Sequence, residues 1–169
     1  MSVPDAPTTE LLRALCADGP DRLTDTIELT RQLHDVNGVL WALEDEARTI
    51  GDVHRLGLLK RRIDGYNARR AALVSAIDRT LGQLLPHGPP DVPPLASSLG
   101  ASLDRLTVAA RRAAVLAATD DERADDALQQ MADLRVALHA DHADLLAGRR
   151  RLPLAGVLKR YGATAPSSP

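Results

Sequence analysis

Apolar residues recur at spacings of three and four along two long stretches in the first half of the chain, which is typical of amphipathic helices. The first helix is predicted from about Asp21 to Ile50, with Gly51 as its stop. Asp52 can cap the second helix, and the short link between the two helices predicts an antiparallel hairpin. The predicted apolar stripes are Leu29, Leu33, Val36, Leu40, Leu43, Ala47 and Ile50 on the first helix, and Leu56, Leu59, Ile63, Tyr66, Leu73, Ile77, Leu81 and Leu84 on the second.

A proline-rich segment, residues 86–94, follows the hairpin and cannot be helical. A third helix is predicted over about residues 95–118, and its many small residues suggest close packing. A fourth helix is predicted to start at Asp120 or Asp121 and to end at Gly148. No stretch of the sequence shows the alternation that is typical of a strand.

These patterns predict an all-α fold in which four long helices form an up-down antiparallel bundle. A short helix is predicted ahead of the bundle, around Thr9 to Cys16, and an irregular tail is predicted at residues 162–169, which we expect to be disordered. Residues 1–169 are expected to form a single helical-bundle domain, in which the proline-rich residues 86–94 connect two helical hairpins.

Composition and charge make several classes of partner unexpected. The 169 residues include 21 basic and 23 acidic ones, and aromatic residues make up only 2%. Nucleic-acid binding is not expected, because the chain has neither a basic excess nor aromatic residues on which bases stack. A single cysteine, Cys16, excludes an internal disulfide, and no apolar run is long enough to cross a membrane. We therefore expect a cytoplasmic protein with no membrane partner.

Polar residues lie beside the apolar stripes of the first two helices, and others interrupt the stripe of the fourth. Burying unpaired polar groups is costly, so such residues must bind one another, water or a ligand. One interpretation is a hydrogen-bonded network that fixes the register of the helices, and the other is a binding or catalytic site. The residues that we predict to converge in one partly buried cluster are His34, Asn37, Trp41, Glu44, Asp45, Lys60, Asp64, Asn67, Arg70, Arg135 and His142.

Common metal-binding and catalytic patterns are missing from the sequence. No histidine has an acidic residue three positions before it, which excludes the ligand set of a ferritin-like di-iron site. His139 and His142 form at most half of a zinc site, and packing or surface histidines are the simpler interpretation. Residues 149–151, three arginines in a row, can hold an anion or simply complement the end of the fourth helix. We predict no metal and no cofactor.

Several elements of the chain resemble an uncharacterised bacterial family known as domain of unknown function 4254. The family's Trp-x-x-Glu-Asp element is similar to residues 41–45, and its Lys-Arg-x-Ile-Asp-x-x-Asn-x-x-Arg element is similar to residues 60–70. Residues 104–107 and 152–161 also resemble segments of the family, so the resemblance spans about residues 29–161. It implies a helical bacterial protein and brings no reaction with it.

The chain departs from the family pattern at four positions. Ala72 and Ser75 stand where members of the family often have acidic residues, and Ala113 and Ala114 replace a Tyr-His pair. If those groups contribute to a family activity, the activity of this chain is altered or lost. A shorter stretch, residues 62–70, is similar to the first helix of the all-helical chorismate mutases, which bind a dicarboxylate through Arg and Lys.

Two functional hypotheses fit the sequence. In the first, the polar cluster binds or processes a small anionic metabolite of a biosynthetic pathway, and basic residues neutralise its charge. In the second, the chain is a non-enzymatic helical interaction module, whose polar network is structural and which self-associates through apolar and Ala-rich faces. The expected partners are accordingly a small anionic ligand and a second copy of the chain. The candidate proton-transfer residues are Glu44, Asp64 and His34, and the candidate ligand-binding residues are Asn37, Trp41, Asp45, Lys60, Asn67, Arg70, Arg135 and His142.

Overall fold

The computed structural model describes residues 20–153, with side chains from Thr24 onward. It contains four helices, and within the described residues there is no strand, so the predicted all-α fold is confirmed. The predicted short helix at Thr9 to Cys16 and the predicted tail at 162–169 lie outside the described residues. The helices are α1 (Pro20–Thr49), α2 (Val53–Leu84), α3 (Leu99–Ala118) and α4 (Ala124–Leu146).

The first two helices begin and end within a few residues of the predicted positions. Asp52 caps α2, because its Oδ1 atom accepts a hydrogen bond of 2.8 Å from the backbone nitrogen of Arg55. Gly51 lies in the link between α1 and α2, but it does not adopt the positive φ angle that a glycine cap uses. Gly148 does adopt such an angle, 66°, just after the end of α4.

The third helix starts four residues later than predicted. Ser98 caps the helix, because its side chain accepts a hydrogen bond from the backbone nitrogen of Ala101. Leu95 lies before the helix and not in it. The Leu95 nitrogen donates to the carbonyl of Arg151 at 2.9 Å, so the proline-rich segment is tied to the chain after α4. At Gly88, which has a φ of 76°, a Cβ atom would lie 2.7 Å from the Arg150 carbonyl oxygen. This contact therefore requires glycine.

Helix α3 is the central element of the described residues. It packs against α1, α2 and α4, whereas α4 packs chiefly against α3. Gly100 on α3 permits a close contact with α2, since a Cβ at this position would lie only 2.6 Å from the Val74 carbonyl oxygen. The fully buried apolar core contains residues from all four helices, and its largest members are Leu33, Ile77, Leu81, Leu99, Leu103, Leu138 and Leu145.

Contacts between α2 and α3 run in opposite chain directions. Asp78 contacts Gly100 near the end of α2, and Arg70, two turns earlier, contacts Asp104 further along α3. These two helices are therefore antiparallel, as the up-down arrangement predicts. No helix in the described part of the chain is long and apolar enough to span a membrane.

Candidate functional site

Three helices meet at a polar junction formed by Asn37 of α1, Arg70 of α2, and Asp104 and Thr107 of α3. Arg70 donates from Nε to Asp104 Oδ1 at 2.8 Å and from Nη2 to Asp104 Oδ2 at 2.6 Å. Asn37 Nδ2 donates to Asp104 Oδ1 at 3.0 Å and to Thr107 Oγ1 at 2.9 Å. The Thr107 hydroxyl in turn donates to the backbone carbonyl of Asp104. Each of the four residues of this junction therefore has at least one hydrogen-bond partner on another helix or its own.

The charges of the junction are well matched. Asp104 is buried, with 12% of its side chain exposed, and the Arg70 side chain is 34% exposed. Hydrogen bonding to Asp104 raises the pKa of the Arg70 guanidinium above its ordinary value, and burial opposes this shift only in part. A bidentate guanidinium-carboxylate pair of this kind fixes the orientation of the arginine as well as its charge.

A second carboxylate connects α2 to α3. Asp78 Oδ1 accepts a hydrogen bond of 2.7 Å from the backbone nitrogen of Gly100, in the first turn of α3. Such nitrogens have no partner within their own helix, and the positive end of the helix dipole also favours a carboxylate there. Asp78 therefore acts as a cap supplied by a neighbouring helix.

A cleft of about 210 Å³ lies beside the junction. Helix α1 forms most of it, α2 contributes two residues and α3 contributes one. Its lining consists of Asn37, Leu40, Trp41, Glu44, Asp45, Arg48, Asn67, Arg70 and Val108.

Several residues of the lining have polar atoms that make no hydrogen bond to the described part of the chain. Asp104 engages Nε and Nη2 of Arg70, and among the described residues nothing accepts a hydrogen bond from Arg70 Nη1 or Trp41 Nε1. Asn37 Oδ1 and the exposed Glu44 carboxylate likewise have no donor within residues 24–153. The remaining charges of the lining, Asp45 and Arg48, form an exposed ion pair at 2.6 Å on the surface of α1.

Six of the eleven residues predicted to converge do line this cleft: Asn37, Trp41, Glu44, Asp45, Asn67 and Arg70. Together they come from α1 and α2, which shows that the two polar stripes of the hairpin meet as the short link requires.

The other five predicted residues are not part of the lining. His34 is half-buried on α1, and Lys60 and Asp64 are exposed on α2. On α4, Arg135 is exposed and His142 is buried. The two α4 residues are kept from the cleft because α4 packs chiefly against α3 and not against the hairpin that forms the cleft.

Asp104 and Thr107 were not among the predicted site residues, although they complete the junction. Both lie next to inward-facing leucines of α3, Leu103 and Leu106, and all four are buried. A charged residue within the apolar arc of a helix was the signal that could have identified Asp104, and it is the same signal that identified Arg70 on α2.

Other candidate features have structural partners. Arg149 pairs with Asp144 at 2.7 Å, and Arg151 donates from Nε to the carbonyl of Val92. Two of the three consecutive arginines thus hold the chain after α4 in place. Among residues 24–153, no group of three or more His, Cys, Asp or Glu side chains is arranged to hold a metal ion. Cys16 lies outside the described residues.

Comparison with known proteins gives one match. A family model described as "Protein of unknown function (DUF4254)" matches residues 27–154, which include most of α1 and all of α2, α3 and α4. No curated protein and no solved structure matches the chain.

Proposed function

The chain belongs to the DUF4254 family of proteins of unknown function, and we propose that its cleft binds a small metabolite with an anionic group. The observation that carries the proposal is the hydrogen bonding of the Arg70 guanidinium. Asp104 holds this guanidinium in a fixed orientation through two of its nitrogens, Nη1 has no partner among the described residues, and Arg70 lines the cleft. An oriented donor that loses no side-chain freedom on binding is well suited to a carboxylate or phosphate.

Directed hydrogen bonds, rather than net positive charge, support this recognition. The carboxylate of Asp104 neutralises the charge of Arg70, and the carboxylate of Asp45 neutralises the charge of Arg48. The Trp41 indole N–H, which has no partner in the described part of the chain, is a second donor for the same anionic group. Hydrogen bonds to an anion are roughly twice as strong as those between neutral groups, so two donors suffice to orient it.

The acceptors of the lining indicate a second feature of the ligand. Glu44 and the Asn37 Oδ1 atom are both without a donor from residues 24–153. A ligand that also has a hydroxyl or ammonium group would satisfy them, whereas a simple dianion would be repelled by Glu44. Glu44 is also the carboxylate positioned to exchange a proton with a bound molecule, which keeps it as the candidate catalytic residue of the cleft.

The size of the cleft limits the ligand. At about 210 Å³, it is smaller than the about 300–1,000 Å³ of sites that hold drug-sized molecules. A hydroxy acid or amino acid fits this volume better than a nucleotide does.

Intrinsic fluorescence offers a direct test, because Trp41 is the only tryptophan of the chain and lines the cleft. We would titrate the protein with L-malate and L-glutamate, and in parallel with succinate and glutarate, which lack the hydroxyl or amino group. Malate or glutamate should give a saturable change in Trp41 emission and a higher melting temperature, and the matched diacid should bind at least several-fold more weakly.

Matched variants on α2 locate the response. Asn67→Ala removes an exposed residue of the lining that has no hydrogen bond to the described residues, and it should weaken binding about tenfold, which corresponds to 1.4 kcal/mol. Asp64→Ala removes an exposed polar residue one turn away, outside the lining, and should leave binding unchanged. The proposal fails if no acid gives a saturable response, or if the two variants bind equally well.

A second candidate function, a helical interaction module, is favoured by a separate observation on α4. Three large apolar residues of that helix, Leu128, Val136 and Leu146, are exposed. This surface is independent of the cleft, and the two functions do not exclude each other.

A further inference from the structure

We propose that the exposed flank of α4 is an interface between two copies of this chain, in which the two α4 helices pair antiparallel about a two-fold axis. The primary observation is the exposure of large apolar side chains: Val136 is 65% exposed, Leu146 58% and Leu128 44%. Exposed leucines and valines are ordinary when scattered, but here they occur along one helix.

These residues form a single stripe along the helix. The positions 128, 132, 136, 143 and 146 are separated by four, four, seven and three residues, so their side chains lie within one quarter of the helix circumference. Two of them, Ala132 and Ala143, are small and allow another helix to approach closely. The stripe borders the side of α4 that is buried against α3, where Leu138 and Leu145 lie in the core.

No described helix covers this stripe. Helix α4 packs chiefly against α3, while α1 and α2 pack against each other and against α3. In a closed four-helix bundle each helix has two neighbours, and the flank of α4 is the surface that such a second neighbour would bury.

Charges at the two ends of the stripe specify the orientation of the partner. Asp125 and Asp126 are exposed in the first turn of α4, and Arg150 is exposed just after its end, next to Arg149, which pairs with Asp144 of its own helix. Antiparallel pairing of two copies brings the acidic end of each helix to the basic end of the other, whereas parallel pairing would bring like charges together. The second copy is therefore electrostatically complementary to the first.

The residue positions also agree with a two-fold axis. If Leu128 of one copy faces Leu146 of the other, then Ala132 faces the region of Ala143, and Val136 lies close to the axis. Arg135 and His139 are exposed near the middle of the stripe, where an arginine stem can cover apolar surface while its charge stays in water. From Leu128 to Leu146 the helix rises about 27 Å.

An interface built on one helix from each copy is small, so the dimer is expected to be weak and concentration-dependent. We would measure self-association of the full chain by sedimentation equilibrium over a wide concentration range. Val136→Glu places a charge near the axis and should raise the dissociation constant at least about tenfold. Val53→Glu is the matched control, because Val53 is 83% exposed at the start of α2, away from the stripe, and this variant should associate like the unmodified protein.

A charge exchange tests the orientation. Asp125→Lys and Arg150→Glu each replace a cross-dimer attraction by a repulsion, so each variant alone should self-associate several-fold more weakly. When the two variants are mixed, both ends of the pair again carry opposite charges, and the heterodimer should form in preference to either homodimer. Increasing salt should reduce this preference.

Three results would overturn the proposal. The first is a protein that remains monomeric at every concentration. In that case, a lower melting temperature of the Val136→Glu variant would indicate that another part of the same chain covers α4. Another is a dimer that Val136→Glu and Val53→Glu affect equally. The third is the absence of preferential association between the two charge variants. None of these results depends on ligand binding in the cleft, so they are distinguishable from a failure of the proposed function.

Discussion

The polar junction and the cleft beside it share two residues but differ in what their polar groups do. In the junction, Asp104 accepts hydrogen bonds from Arg70 on α2 and Asn37 on α1, and it is buried. In the cleft, Glu44 and Asn67 are exposed and have no hydrogen bond to the described residues. Asn37, Arg70, Glu44 and Asn67 all belong to the predicted site residues of the first two helices, whereas Asp104 lies on α3.

The difference separates residues that hold the helices together from residues that the fold leaves available. A buried polar group without a partner costs free energy, so the junction must be complete for the three helices to pack. Exposed groups of the cleft stay hydrated and contribute little to stability. Substitutions in the junction should therefore lower the free energy of unfolding strongly, whereas substitutions in the cleft should change it little.

Asp104→Ala should have the largest effect. It leaves the Arg70 guanidinium and the Asn37 amide without their common acceptor, and removing one partner of a buried pair costs about 3–5 kcal/mol. Since Arg70 is one-third exposed, we expect a loss in the free energy of unfolding of about 2–4 kcal/mol, measured by urea denaturation. Asp45→Ala, which breaks the exposed pair with Arg48, should cost less than about 1 kcal/mol. Equal losses for the two variants would contradict the distinction between junction and cleft.

Two glycine-to-alanine substitutions compare the change in stability at the contact between α2 and α3 with the change on the open surface of α2. Gly100→Ala forces a methyl group against the Val74 carbonyl and the Asp78 carboxylate, and overpacking of this kind costs about 1–3 kcal/mol. Gly65→Ala meets no atom within 4 Å and should instead stabilise α2 by about 0.5–1 kcal/mol, because alanine favours helix. Thermal unfolding of both variants checks this, and a gain at position 100 would show that the helices are less tightly packed there.

Asp141 on α4 provides a half-buried carboxylate without an ion-pair partner among the described residues, in contrast to Asp104. Burial, and next to it the neighbouring Asp144, raises the pKa of Asp141. A carboxyl group whose pKa is higher in the folded protein binds protons more tightly there, so its charged form destabilises the fold at neutral pH. Asp141→Asn should therefore raise the free energy of unfolding at pH 7, by less than about 1 kcal/mol after allowance for its exposure.

The pH dependence provides the control for this prediction. As the pH falls through the raised pKa of Asp141, the native carboxyl group becomes protonated and the advantage of the asparagine should disappear. Asp133→Asn, at an exposed position of α4, should show no such difference. An advantage of Asp141→Asn that is constant with pH would mean that charge is not its cause.

The smallest effect is expected at the rim of the cleft. Glu44→Gln and Asn67→Ala should each change the free energy of unfolding by no more than about 0.5 kcal/mol, since both residues are exposed and make no hydrogen bond to the described residues. Urea denaturation measures this directly. A loss above about 2 kcal/mol in either variant would indicate that the rim is part of the structural network.

The family-like elements of the sequence contain both kinds of residue, those that hold the helices together and those that the fold leaves available. Asp104 has structural partners that explain its presence without a ligand, whereas Arg70 binds Asp104 and also lines the cleft. Trp41 and Asn67 lie in the cleft and have no such partner within residues 24–153. They are the residues on which experiments on function should concentrate.

Local features of the sequence were sufficient to predict the four helices and most of their limits. Apolar residues at helical spacing identify each helix, and Asp52 and Gly148 act at the termini where they were expected to act. These signals depend on residues within one or two turns of each other, so no knowledge of the fold is needed. Two starts were predicted too early. Helix α3 begins after Leu95, whose backbone bonds to Arg151, a residue distant in the sequence. Helix α4 begins at Ala124, three to four residues after the predicted Asp120 or Asp121.

The membership of the site was decided by tertiary structure. The stripes of the hairpin brought Trp41, Glu44 and Asn67 together. Helical periodicity marks Asp104 as a charged residue within an apolar arc, but it does not tell that Asp104 pairs with Arg70 or that Arg135 stays outside the junction. Which side chains meet depends on how the helices are rotated and how closely they approach. That geometry is set by contacts such as Gly100 against Val74, and by the packing of α4 against α3 rather than against the hairpin.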